Sequence, residues 1–229
     1  GCFFTVAVVQ LGSLLVLAGL KIKRPERTAS GGRPIGVFLR MPVYIVGVFC
    51  CAVGYALMSY LMTATPLQVV NVARLGTSAN ATIIQWHVVA MFLPSFFTGS
   101  LIGRFGAFRI LWAGVTFYII SIALAVGAVG FWPYWLALVS AGLGWNFLFV
   151  GGTSLVARVA EPEERGRVQG FADLMVMTTV AAASLSAGAI HSQLGWEALS
   201  VAALGPLALV AVSLAWLGLV IRRDHQPAA

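Results

Sequence analysis

The sequence predicts an all-α membrane protein with seven transmembrane helices, and three observations lead there. Hydrophobic residues make up 60% of the 229-residue chain and charged ones only 9%, with a mean hydropathy of +0.94. So few charges could not cover the surface of a water-soluble domain. The apolar residues come in runs of about 20, the length that a helix rising ~1.5 Å per residue needs to cross a hydrocarbon core roughly 30 Å thick. None of these runs alternates with period two as a barrel strand would, and in lipid only helices and closed barrels satisfy their backbone groups.

Seven segments follow in order, over 1–20, 40–65, 82–103, 108–129, 133–157, 166–191 and 196–221. The first is followed by KIKRPERTASGGRPIG, whose Pro, Gly, Ser and basic content predicts a flexible linker over 22–39. The second runs from Arg40 toward Pro66, and the third carries Pro94, which removes a backbone donor and is expected to bend it. Arg104-Phe105-Gly106 and Arg109 make a short basic turn before the fourth. Glycines 142, 144, 151 and 152 thin the fifth, as suits close helix packing. A charged turn with Glu161, Glu163 and Glu164 among Arg158, Arg165 and Arg167 leads into the sixth, and its charges are expected to hold helix ends together. The seventh ends at Arg222 and Arg223, before the tail 223–229.

Of the fourteen Lys and Arg residues, all but Arg74 fall on alternate gaps. The positive-inside rule makes that side cytoplasmic, with the C-terminus on it. The net charge of +7 is therefore a topology signal and not a nucleic-acid surface, because the basic residues sit in short gaps between apolar runs. Cys2, Cys50 and Cys51 show neither disulfide nor metal-ligand spacing, so no metal and no cofactor is expected. Opening without a methionine, inside an apolar segment, the sequence is expected to be a piece of a longer protein.

The turn after the third segment carries a resemblance. Gly99-x-x-x-Gly103-Arg104-Phe105-Gly106-x-x-Arg109 resembles the G-x-x-x-D-R-x-G-R-R signature between the second and third helices of each half of the major facilitator superfamily of transporters. Gly103 stands where that family usually has aspartate. The charged turn resembles the family's P-x-E-R-G-x-x-x-G stretch, and QWHxxxMFxPSFFTGxLIxRFG with GxGWNFLFVGGTxL is similar to a bacterial subgroup whose related members are linked to riboflavin uptake. The resemblance implies that 1–21 is the last helix of a missing N-terminal half, 22–39 the cytoplasmic linker, and 40–222 a C-terminal six-helix bundle of two inverted three-helix repeats. It also implies secondary active transport of a small organic solute by alternating access, with H+ as the candidate coupling ion, in a bacterial inner membrane. Gly99, Gly103, Arg104, Gly106 and Arg109 would form the motif that governs conformational change.

Polar residues inside lipid are costly and so mark candidate pathway positions. Tyr55 and Ser59 share a helical stripe with Cys51, Met62 and Thr63. His87 shares one with Met91, Ser95 and Thr98, while Gln85 lies nearly opposite, so the two cannot face one cavity without distortion. Trp145 and Asn146 sit in the fifth segment, and the Asn146 carboxamide needs partners that either a substrate or a neighbouring helix could supply. Asp173 is the one acid well inside a segment, open to reading as a proton site or as an interfacial pair with Arg165, Arg167 or Arg104. His191 and Glu197 are expected to be solvated.

Two other classes fit less well. A seven-helix receptor or signalling protein remains the alternative, but a retinal protein needs a lysine in its last helix, and Lys21 and Lys23 are the chain's lysines. An intramembrane hydrolase is not expected, because Ser154 in GGTSL lacks the glycine of a nucleophile elbow and no H-E-x-x-H occurs.

Overall fold

The computed structural model describes residues 2–20 and 32–224, and among these every regular element is helical. Two compact units divide the chain, Gly1–Gly31 and Gly32–Ala229. The first contributes α1 (Cys2–Gly19), eighteen residues free of ionisable acids and bases, in which Ser13 turns its hydroxyl back onto the Val9 carbonyl at 2.9 Å. Residues 21–31, which hold Lys21, Lys23, Arg24 and Arg27 and most of the expected linker, lie outside the described residues, as does the tail beyond 224.

The second unit contains α2 (Ile35–Phe38), α3 (Pro42–Pro66), α4 (Gly76–Phe92), α5 (Ser95–Phe105), α6 (Ala107–Ala125), α7 (Phe131–Val159), α8 (Arg165–Ala202) and α9 (Leu204–Asp224). Pro42 opens α3, where its missing N–H would have had no helical acceptor anyway. Pro66 closes it, and the backbone widens into a π-helical turn over Leu67–Val72 that ends with Ala73 N–H donating to the Gln68 carbonyl at 2.8 Å. The expected bend falls at Pro94, where α4 and α5 diverge by 41°. A single residue, Gly106 at φ 83, joins α5 to α6. That left-handed geometry suits glycine and reverses the chain at the motif turn. Gly195, at φ 80 and ψ 179, interrupts α8, separating Trp196 and the stretch continuing into α9 from the long helix before it.

Among the described residues, four helical runs are long and apolar enough to cross a membrane, and the bent α4–α5 pair makes five. One of the four is the 59-residue run Arg165–Arg223 that Gly195 breaks. The third segment begins six residues earlier than expected: GTSANA, between the expected second and third segments, forms the first turns of α4, with Thr82 bonding back to the Ser78 carbonyl at 3.1 Å.

Packing centres on α3 and α7. α3 lies against both α7 and α8, and α7 also packs on α4 and α6, while α8 meets α7 and α9 only slightly. The α3–α7 crossing depends on glycine: a Cβ on Gly152 would stand 2.6 Å from the Gly47 carbonyl oxygen, and one on Gly47 would stand 3.0 Å from the Gly152 oxygen. Buried polar side chains bond backbone carbonyls across helix pairs. Tyr118 Oη donates to Gly54 at 2.6 Å, Ser121 Oγ to Ala137 at 2.7 Å, and Trp196 Nε1 to Ala125 at 2.8 Å. Each satisfies a group that hydrocarbon could not.

Candidate functional site

The close α3–α7 approach brings Tyr55 and Trp145 together. Trp145 and Phe149, one turn apart on α7, stack at 5.3 Å with 8° between their planes. Tyr55 stands edge-on to both, at 5.4 and 5.6 Å, and Phe92 of α4 is edge-on to Trp145 at 5.7 Å. Trp145 is 5% exposed and its indole N–H has no hydrogen-bond partner, whereas Phe92 is 55% exposed. The four rings thus form a layer buried at its indole end and open at its Phe92 edge. A buried unpartnered donor is uncommon and calls for an acceptor.

The residue after Trp145 does something different. Asn146, fully buried, accepts from Thr98 Oγ1 at 2.6 Å through Oδ1 and donates through Nδ2 to Ser95 Oγ at 2.6 Å and to the Met91 carbonyl at 2.8 Å. Met91 lies before the Pro94 break and Ser95 and Thr98 after it, so one carboxamide ties both sides of the bend to α7. All of these partners come from the neighbouring helix pair.

His87 is also fully buried and faces α7, with Nδ1 2.6 Å from the Leu138 carbonyl. A carbonyl only accepts, so Nδ1 carries the proton and the Nε2 lone pair points into the protein without a partner. Gln85 is exposed on the other face of an unbroken stretch of α4. The structure does not bring these two together, because the distortion at Pro94 comes too late to rotate one toward the other. Ser59 is half-buried one turn beyond Tyr55, and Asp173 lies on the exposed face of α8. Of the motif residues, Gly99, Gly103 and Gly106 have open space where a Cβ would stand, Arg104 covers the Phe105 ring at 5.2 Å, and Arg109 is exposed.

Two groupings escape sequence reasoning. In the π-helical turn that follows α3, Gln68 Nε2 donates to Tyr134 Oη at 2.9 Å while its Oε1 lies 3.1 Å from His191 Nε2. His191 is therefore engaged rather than simply solvated, and with Gln68, Gly195, Trp196 and Glu197 it lines a cavity of about 390 Å³. At the basic end, Glu164 is buried beside Arg33, whose side-chain and backbone N–H groups hold its carboxyl down to about 2 from the usual 4.5. The polar residues in ATPLQVV and HSQLGWE were a signal for the first group. For the second, the charged turn was expected to hold helix ends together, but nothing local pointed to Arg33 as the partner of Glu164. Among the described residues no three His, Cys, Asp or Glu side chains gather as a metal site would require.

Known proteins resemble this chain over two thirds of its length or more. The family profile described as Major Facilitator Superfamily matches residues 44–229. The riboflavin transporter RfnT of Brucella anthropi is 41% identical over 218 residues, which cover 93% of this chain and 54% of that protein. Two MFS-type transporters of Bacillus subtilis, both named as uncharacterized, are more distant. YddS is 28% identical over 181 residues, 78% of this chain and 41% of its own length, and YdeG is 30% identical over 158 residues, 68% and 36%. The chain thus spans about half the length of RfnT and less of the other two.

Proposed function

The chain belongs to the major facilitator superfamily, and from that premise we propose that it is the C-terminal part of a secondary active transporter that carries a flat heteroaromatic solute, with riboflavin as the candidate. In this reading α1 is the last helix of an N-terminal half. The bundle comprises six spans: α3, the bent α4–α5 pair, α6, α7, α8 up to Gly195, and the stretch from Trp196 through α9. Two inverted three-helix repeats arrange them, the basic ends are cytoplasmic, and the solute crosses a bacterial inner membrane by alternating access, driven by H+.

The observation that carries the solute class is the aromatic layer of Tyr55, Trp145, Phe149 and Phe92. Aromatic pairs contribute about 0.5–1.5 kcal/mol beyond area burial, so a planar ring system gains affinity by stacking there. A flavin also carries ring carbonyls, which accept the hydrogen bond that the buried Trp145 N–H lacks. The relative named for riboflavin supports the same solute.

Uptake of labelled riboflavin by cells that cannot make it, expressing the full-length protein, tests this reading. Trp145→Ala removes stacking and donor together and should raise KM about 5- to 150-fold, the sum of one stacking contact and one hydrogen bond. Trp145→Phe keeps the ring and should raise it less. Riboflavin uptake no faster than in cells lacking the protein, or a KM unmoved by both substitutions, overturns the assignment.

A further inference from the structure

Between α3, the second half of α8 and the start of α9 lies a half-open slot of about 470 Å³, whose walls all come from this bundle. Val53, Ala56 and Tyr60 run along its α3 side, a rise of ~10 Å, and Thr179 and Ile190 bound ~16 Å of its α8 side. The slot is therefore elongated and lies along the helices. Small side chains make the room: Ala182, Ala183 and Ala202 stand where larger ones would fill it.

Its walls carry three hydroxyls and no carboxylate, amine, guanidinium or imidazole. Thr179 donates to the Met175 carbonyl at 2.8 Å and Ser186 to the Ala183 carbonyl at 2.9 Å, so both spend their protons within α8. Tyr60 is different. It is 7% exposed, and its buried Oη has no hydrogen-bond partner. A buried hydroxyl in that state calls for an acceptor. The slot thus suits a long apolar body that carries one acceptor at the level of Tyr60. A flavin does not meet that description, because its several hydroxyls would go unpaired against alanine and valine.

Depth identifies the occupant. Tyr60 stands eighteen residues after Pro42, which opens α3 at the basic end, so it lies roughly 27 Å into a hydrocarbon core about 30 Å thick. Tyrosine favours that boundary, where the ring meets hydrocarbon and the hydroxyl meets the headgroup level. The ester carbonyls of the far leaflet lie at this level, and their acyl chains run inward from it, toward Val53. We propose that the slot holds one acyl chain of a glycerophospholipid from the leaflet opposite the basic ends, with its ester carbonyl accepting from Tyr60 Oη. The chain fills the space between α3 and α8 that the alanines leave. The site is separate from the Trp145 layer; it rests on the membrane placement of the bundle and not on the transport of any solute.

The test places the full-length protein in phospholipid liposomes doped, at low mole fraction, with a phosphatidylglycerol whose acyl chain carries a diazirine. The diazirine sits either near the ester or at the chain end, and photo-adducts are mapped by peptide mass spectrometry. The near-ester probe should mark Tyr60 or Ile190, and the chain-end probe Val53 or Thr179. An ether-linked probe lacks the carbonyl, so the ester probe should give about 2- to 12-fold more slot adducts in the parent protein, the worth of one hydrogen bond. Tyr60→Phe should bring that ratio to 1. Ala183→Leu fills the slot and should cut its adducts at least 5-fold while adducts elsewhere on the protein hold. A reversed order of the two probes, equal ester and ether labelling of the parent, or adducts confined to other surfaces overturns the proposal; the last result is the one expected if the N-terminal half covers the slot. Slot adducts in protein that moves no riboflavin uphold the lipid site and refute the solute.

Discussion

Replacing Gly152 by alanine is the most direct probe of how α3 and α7 are joined. The added Cβ would lie 2.6 Å from both the Gly47 carbonyl oxygen and Cys51 Sγ, where ordinary contact begins at 3.4 Å, a shortfall of about 0.8 Å. The oxygen belongs to the backbone, so no rotamer change relieves it and the helices must move apart. Overpacking of this kind costs about 1–3 kcal/mol, which for a unit of this size lowers the melting temperature by ~2–12 °C. Gly218→Ala provides the comparison: its Cβ would meet the tip of the Phe108 ring at 3.0 Å, which can swing aside, and little change is expected. Thermal unfolding of the detergent-solubilised protein reads both. Adding Cys51→Ala to Gly152→Ala removes the sulfur contact but not the carbonyl, so rescue should be partial. An unshifted Gly152→Ala, or complete rescue by Cys51→Ala, would refute a backbone-limited crossing.

Other expectations follow from the same geometry. Asn146→Ala leaves the buried Met91 carbonyl without its donor and should cost about 1–3 kcal/mol in the same unfolding assay. Asp173→Asn should abolish uphill accumulation of riboflavin while leaving exchange intact; unchanged accumulation removes Asp173 from the coupling mechanism. Because the folded-state carboxyl of Glu164 sits at about 2, below its ordinary 4.5, its contribution is complete above 4.5 and declines as pH falls from there toward 2. Melting temperature measured from pH 6 to pH 3 should therefore fall less steeply in Arg33→Gln than in the parent. In intact cells and inside-out vesicles, cysteines replacing Arg104 and Arg165 should react from the cytoplasmic side and one replacing Thr77 from the outside. Reaction of the first two from opposite sides contradicts the topology.

Much of the helical plan was legible because membrane spans advertise themselves by length and by the basic gaps between them. The Pro94 bend and the Gly106 turn were legible for the same reason, being properties of single residues. The opposite faces of Gln85 and His87 followed from helical spacing and stand in the structure. Helix starts were less legible: the polar residues from Gly76 to Asn80 continue α4 outward, since helix polarity signals depth and not secondary structure. Contacts between distant segments were the least legible. The partners of Asn146 lie about fifty positions upstream, and nothing near either residue announces that the carboxamide staples a proline bend. Arg33 looked like one more basic residue of a pliable linker because its partner is 131 positions away. Pattern along the chain reports burial and curvature; it does not report which buried acid a particular arginine will find.

Counterflow in proteoliposomes tests the central claim most directly. Vesicles containing the full-length protein and loaded with unlabelled riboflavin should take up labelled riboflavin transiently above its equilibrium level, and Trp145→Ala should suppress that overshoot at low substrate concentration. Uptake that is the same in loaded and empty vesicles, and the same as in vesicles without protein, would contradict a transporter whose solute rests on the Trp145 layer.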